Sequence, residues 1–240
     1  MTTEHTVKSF DEELKRLGDM VAQMGGLAEA QLQAAIESLV SRDAEQAARV
    51  VQSDARIDQL ERQISTQTVR MLALRQPMAV DLREIVAALK ISSDLERIGD
   101  YAANVAKRAI ALTQSPPMRP VGGIARMGRL VQQIIKDILD AYGAHDADKA
   151  VAAWKRDQEV DDMYNSLFRE LLTYMMEDPR NIGPSTHLIF IAKNIERMGD
   201  HATNIAEIIH FLVRGEDITE ARPKSDKTSF AVVTPPEDTV

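Results

Sequence analysis

Ser93–Ala106 reads SDLERIGDYAANVA, and the same pattern returns one hundred residues later as KNIERMGDHATNIA at Lys193–Ala206. A fold for this chain must therefore accommodate one helical pattern twice, so the sequence is an internal duplication about half a chain long. Both copies carry an apolar seam at alternating spacings of three and four. In the first it is Ala88, Ile91, Leu95, Ile98, Ala102, Val105, Ala109 and Leu112; in the second, Leu188, Ile191, Ile195, Met198, Ala202, Ile205, Ile209 and Leu212. Such a seam belongs in a helix bundle. The surrounding sequence agrees: good helix formers dominate, aromatics are only 4%, and Val, Ile and Thr show no strand-like alternation.

Breakers divide the chain into six rods. Ser41-Arg42-Asp43 offers a cap. Gln76-Pro77, Thr113–Pro117, Gly143–Asp146 and Glu177-Asp178-Pro179 close further patterns, and Gly215 stands just past the last. The expected helices run over about 8–41, 44–75, 78–113, 119–142, 146–177 and 183–214. The expected fold is all-α, two tandem, pseudo-repeated three-helix bundles: 1–115 the first, 116–215 the second, and 216–240 a disordered tail, with Thr113–Pro117 as the linker.

Glu96 and Asp100 stand four residues apart, one turn above each other on one helix face. At about 100° per residue they lie roughly 150° around from the seam, so they are expected outside the core. Glu196 and Asp200 repeat the arrangement, and Asp54/Asp58 and Asp157/Asp161 add pairs at the same spacing on the second and fifth helices. Adjacent antiparallel helices bring two such pairs together in each bundle. Carboxylates that close repel one another, and a cation relieves the repulsion. Gly99 and Gly199 sit between the members of the repeated pairs. A helix-interior glycine costs about 1 kcal/mol relative to Ala, which points to something approaching the backbone there, a neighbouring helix or a bound species. An oxygen-only ligand set suits hard cations such as Mg, Ca, Mn or oxidised Fe better than Zn, and Asn104 and Asn204 offer further oxygens. Acidic pairs also decorate ordinary solvated helix faces, so two readings stand: a site for metal or a basic partner, and a plain solvated surface. Arg97 and Arg197 offer an anchor between the bundles or a fork for phosphate, and they better fit structural ion pairs or solvation.

Several functions have no residues to support them. The chain has no cysteine, which removes disulfides, thiolate metal sites and cysteine nucleophiles. Net charge is −8 without a basic cluster, so no nucleic-acid partner is expected. No apolar run approaches the roughly 20 residues of a membrane span, and the opening Met1–His5 lacks a signal-peptide core; a cytoplasmic location is expected. The five histidines show no metal spacing: His5, His145, His187 and His210 suit surface or packing roles, and His201 adjoins Asp200 but points about 100° away from it; Trp154 suits the core or an interface. There is no phosphate loop, nucleophile elbow, dinucleotide fingerprint or Glu-x-x-His pair, so no catalytic residue and no organic cofactor is expected.

Two longer segments go further. Arg75–Arg83 leading into Asp94–Ala102, and Asp178–Ile182 leading into Asn194–Glu207, closely resemble the paired signatures of the PhoU family; Phe10, Leu14, Leu17 and Met24-Gly25 resemble its opening helix. The resemblance covers about 8–214. It implies two similar three-helix bundles and a non-enzymatic negative regulator of phosphate uptake and phosphate-starvation signalling. Its partners would be the phosphate ABC transporter and a membrane sensor histidine kinase, which would hold the protein peripherally at the inner membrane face. It implies a homodimer. It also implies metal ions (Fe, Mn, Mg or Zn) on Asp54, Asp58, Glu96, Asp100, Asp157, Asp161, Glu196 and Asp200. Competing readings are a carboxylate-bridged multinuclear metal enzyme and a purely structural helical scaffold.

Overall fold

Both seams are buried along their whole length, every member between 0 and 6% exposed. They belong to α3 (Val80–Leu112) and α7 (Ile182–Arg214), the central helices of the two halves. The computed structural model describes residues 2–75, 77–220 and 222, with the backbone alone for 2–9. All regular structure among them is helical: α1 (Thr2–Ser41), α2 (Ala44–Arg75), α4 (Val121–Ala144), α5 (Ala147–Trp154), α6 (Asp157–Glu177) and a 3₁₀ turn at Pro179–Asn181 complete the set. The first half is α1–α2–α3 and the second is α4, α5–α6 and α7. An apolar seam of α1 recurs in α4 at an offset of 103: Val21, Met24, Ala28, Leu32 and Ala35 match Ile124, Met127, Val131, Ile135 and Ile138, all buried.

Helix ends follow local chemistry. The Asp43 carboxylate accepts from the Gln46 amide at 2.9 Å to open α2, and Asp146 accepts from the Lys149 amide at 2.9 Å to open α5. Gly215 adopts φ 77°, and its N–H donates to the Phe211 carbonyl at 2.8 Å, closing α7.

The fifth rod departs from expectation. Instead of one helix over 146–177 it bends at Lys155-Arg156, giving α5 and α6. Both residues keep right-handed torsions, and the bonds tighten locally to Arg156 N–H to Ala153 C=O (3.1 Å) and Glu159 N–H to Arg156 C=O (3.0 Å), so the rod is kinked rather than ended. Trp154, 1% exposed, anchors the bend by donating its indole N–H to Glu207 of α7 at 2.9 Å. Arg156 ties it to Asp137 of α4 at 3.3 Å.

The halves share one continuous core. The most extensive helix pairing in the molecule is α3 against α7, across the halves, and α1 also packs on α4. Polar bonds reinforce the seam. His201 Nδ1 meets Asp94 Oδ1 at 2.7 Å, and Arg42 donates to the carbonyls of Thr113 (2.9 Å) and Ser115, pinning the segment that joins the halves. No helix among the described residues is long and apolar enough to cross a membrane. The expected tail, 216–240, falls mostly outside the described residues; its described part, 216–220 and 222, lies against the body through Ile218 and Arg222.

Candidate acidic sites in the two halves

Antiparallel packing of α2 on α3 brings Asp54 and Asp58 beside Glu96 and Asp100. Burial first, then the charges of Asp100 and Asp58, push the Asp54 carboxyl above its ordinary value, while a hydrogen bond from Gln31 pulls the other way. Glu96 is likewise raised by burial and by Asp100. Gly99 makes this approach possible: a Cβ there would lie 2.9 Å from Ile57 Cδ1 and 3.3 Å from both Asp54 Oδ1 and Gln31 Oε1. The expectation of a close neighbour at this glycine is met by α2 and by Gln31 of α1. Gln31 Nε2 donates to Asp54 Oδ1 at 3.2 Å and to the Val50 carbonyl at 3.3 Å. Its Oε1 is buried and accepts no hydrogen bond from any described residue. Arg97 reaches Glu96 (3.4 Å) and Asp100 (3.1 Å) from solvent, and Arg62 stands 3.6 Å from Asp58.

The second half repeats the frame with different neighbours. The Cβ position of Gly199 lies 3.5 Å from Asp157 Oδ1, again a carboxylate from the preceding rod. The geometry corrects one expectation. These acids do not sit on an open face: Asp157, Asp161 and Glu196 are 2, 3 and 5% exposed. Position relative to a helix's own seam says which side a residue takes, but not what else packs there. Here that side is covered by the kinked fifth rod and by Arg222, which arrives from beyond α7. Its guanidinium donates to Asp200 Oδ1 (2.6 Å), Asp157 Oδ2 (3.2 Å), the Asp200 carbonyl (3.2 Å) and Asn204 Oδ1 (3.4 Å). Burial, with Asp161 and Asp200 adding to it against the pull of Arg222, pushes the Asp157 carboxyl up to about 6. Glu196 pairs with Lys193 Nζ at 2.9 Å, and Lys193 also stands 4.9 Å from the centre of the Tyr164 ring.

Each half thus gathers its two acidic pairs, although among the described residues no three carboxylates or histidines are already drawn into a ligand cage. Sequence reasoning missed three participants. Gln31 reads as one more helix-surface amide. Asp94 joins the halves by accepting from Asn204 Nδ2 (3.3 Å) and meeting His201, which the sequence marks only as a neighbour of Asp200 that points away from it. Arg222 was hidden in the expected tail; its one signal is that it is the sole Lys or Arg in 215–223. Arg197, unlike Arg97, lies over Tyr101 of α3, 5.8 Å from the ring centre.

Fold and clusters together define a class: helical proteins of two repeated three-helix units, each with paired carboxylates where its central helix meets the preceding rod. Comparison with known proteins gives the particular family. The PhoU domain matches residues 21–109 and again 124–209. The chain is 56% identical over 228 residues to the "Phosphate-specific transport system accessory protein PhoU homolog" of Caulobacter vibrioides, covering 95% of this chain and 99% of that protein. It is 52% identical over 225 residues to the protein of the same name from Xylella fastidiosa, covering 94% and 93%. The crystal structure of PhoU from Pseudomonas aeruginosa superposes with a TM-score of 0.84 at 43% identity, covering 86% of this chain and 100% of that one. The chain belongs to the PhoU family.

Proposed function

We propose that this protein is an accessory regulator of a phosphate-specific transport system. It acts without catalysis as an adaptor between the phosphate ABC transporter and a sensor histidine kinase, and it represses phosphate-starvation signalling when phosphate is plentiful. The observation that carries the reading is the match of the PhoU domain to both halves, together with near full-length similarity to relatives named as accessory proteins of that transport system. The site chemistry is in keeping with it: among the described residues no nucleophile–base pair stands at either cluster, and the carboxylates are placed to hold charge. Deleting the gene and following a phosphate-regulated reporter in phosphate-rich medium tests the proposal. Expression should rise in the deletion strain; unchanged repression would overturn the reading.

The same reading assigns hard cations to the acidic clusters: Asp54, Asp58, Glu96 and Asp100 in the first half, Asp157, Asp161, Glu196 and Asp200 in the second. The residues fit such ions. Every donor is an oxygen, Gly99 leaves a cradle that a Cβ would fill, and the buried Gln31 Oε1 beside it is an acceptor in want of a partner. A bound cation would supply charge neutralisation and join adjacent helices. Metal content after gentle purification, compared between the protein and an Asp100→Asn/Asp200→Asn variant, checks the assignment. Equal content in both would count against it.

A further inference from the structure

The two clusters share a motif but not a counter-charge. At the first, Arg97 comes from the same helix as Glu96 and Asp100, and its side chain is 54% exposed. At the second, Arg222 comes from the chain beyond α7, its side chain is 20% exposed, and it bridges the two rods by touching Asp157 and Asp200 together. The segment leading to it is fastened along the way: Ile218 packs against the core, and Glu220 pairs at 3.2 Å with Lys155 at the α5–α6 bend. The bend, the segment and the cluster therefore form one unit.

A guanidinium and a metal ion need the same lone pairs. While Arg222 donates to Asp157 Oδ2 and Asp200 Oδ1, a cation cannot use those oxygens on the same side. We infer that Arg222 is a tethered cation competing with metal ions for the second cluster, and that the segment fastened at Ile218, Glu220 and Arg222 is a strap which metal binding there releases. The inference rests on the proposal that the clusters bind cations. A tethered competitor acts at a high effective concentration, so it lowers the apparent metal affinity of the second cluster and leaves the first untouched. Coupling is reciprocal: whatever Arg222 costs the metal, the metal costs the strap.

Full-length protein and Mn²⁺ provide the test. In an Asp100→Asn background, which weakens the first cluster, Arg222→Gln should raise Mn²⁺ affinity on the order of tenfold. In an Asp200→Asn background, the same change should do nothing. A second readout needs no metal. The chain has no cysteine, so a dye on Thr219→Cys reports the strap alone, and Arg222→Gln should lower its anisotropy in metal-free buffer. Unchanged anisotropy overturns the strap. An unchanged Mn²⁺ affinity in the Asp100→Asn background overturns the competition. Absence of Mn²⁺ binding in every variant overturns both the competition and the cation-site reading beneath it, while the anisotropy result still decides whether Arg222 holds the segment down.

Discussion

The first acidic cluster is a surface feature and the second an enclosed one, although both are written in nearly the same letters. Glu96 and Asp100 face an arginine standing in solvent; Asp157 and Asp200 hold one that lies 22 residues beyond Asp200 in the chain. The differences come from the residues around the repeated carboxylates. On the 103-residue offset of α1 and α4, Gln31 falls on Ile134, which is fully buried, so α4 supplies no counterpart of the Gln31 amide to the second cluster. Ser93 becomes Lys193, which neutralises Glu196. A duplicated motif fixes where carboxylates stand, and the neighbours decide which cations they accept.

Core truncations give the largest expected effect and ask whether the halves are independent. Leu95→Ala and Ile195→Ala sit at equivalent, fully buried positions, and each should cost about 2–5 kcal/mol. Because the halves share one core, thermal unfolding should stay a single transition in both variants. Two resolved transitions, one per half, would break the picture of a shared core.

Metal sharpens the comparison next. With Mn²⁺ at roughly one hundred times the dissociation constant of the first cluster, binding there should stabilise the fold by about 2.7 kcal/mol. Asp100→Asn should remove most of that shift, and Asp200→Asn little of it, because Arg222 already holds the oxygens of the second cluster. The reverse order in differential scanning fluorimetry would contradict the asymmetry.

Acid dependence should single out the second half. The folded Asp157 carboxyl titrates at about 6 against 3.8 as its ordinary value. Between those values the native state binds more protons than the unfolded chain, so this group lowers stability as pH rises through that window, and its cost is fully present above it. Asp157→Asn should therefore stabilise the protein on the order of 1 kcal/mol at pH 7.5, and by less at pH 5. An equal gain at both pH values would show that burial does not raise this carboxyl.

The smallest effect separates the two glycines. Alanine improves a helix interior by up to about 1 kcal/mol. At Gly199 the new methyl meets Val160 at 3.4 Å, an ordinary contact, so Gly199→Ala should be stabilising. At Gly99 it meets Ile57 at 2.9 Å, so Gly99→Ala should gain less or nothing. Melting temperatures of the pair decide it.

Much of the fold was legible because a seam of apolar residues needs only its own helix to be read. All sixteen seam residues of α3 and α7 are buried as their spacing implied. The bend at Lys155-Arg156 was not legible: neither residue is a breaker, and the kink depends on Trp154 and Arg156 reaching α7 and α4. The eight carboxylates could be placed in pairs, but the burial of three of them could not, since that depends on a cover supplied from elsewhere in the chain. His201 was undervalued for the same reason; its partner Asp94 is 107 residues away.

The shared core also bears on how the protein is made. When α3 leaves the ribosome, the helix it packs against most extensively, α7, has not yet been synthesised. The chain between Leu112 and Arg214 takes on the order of 5–20 s to appear at ~5–20 residues per second. For that interval α1 and α2 cover α3 on its other sides, while the flank that carries Ala87 still lacks its α7 neighbours. A gene interrupted after the first repeat therefore yields a sticky nascent product bound for chaperones and proteases rather than a working half-protein. The two repeats, however alike, must be born together.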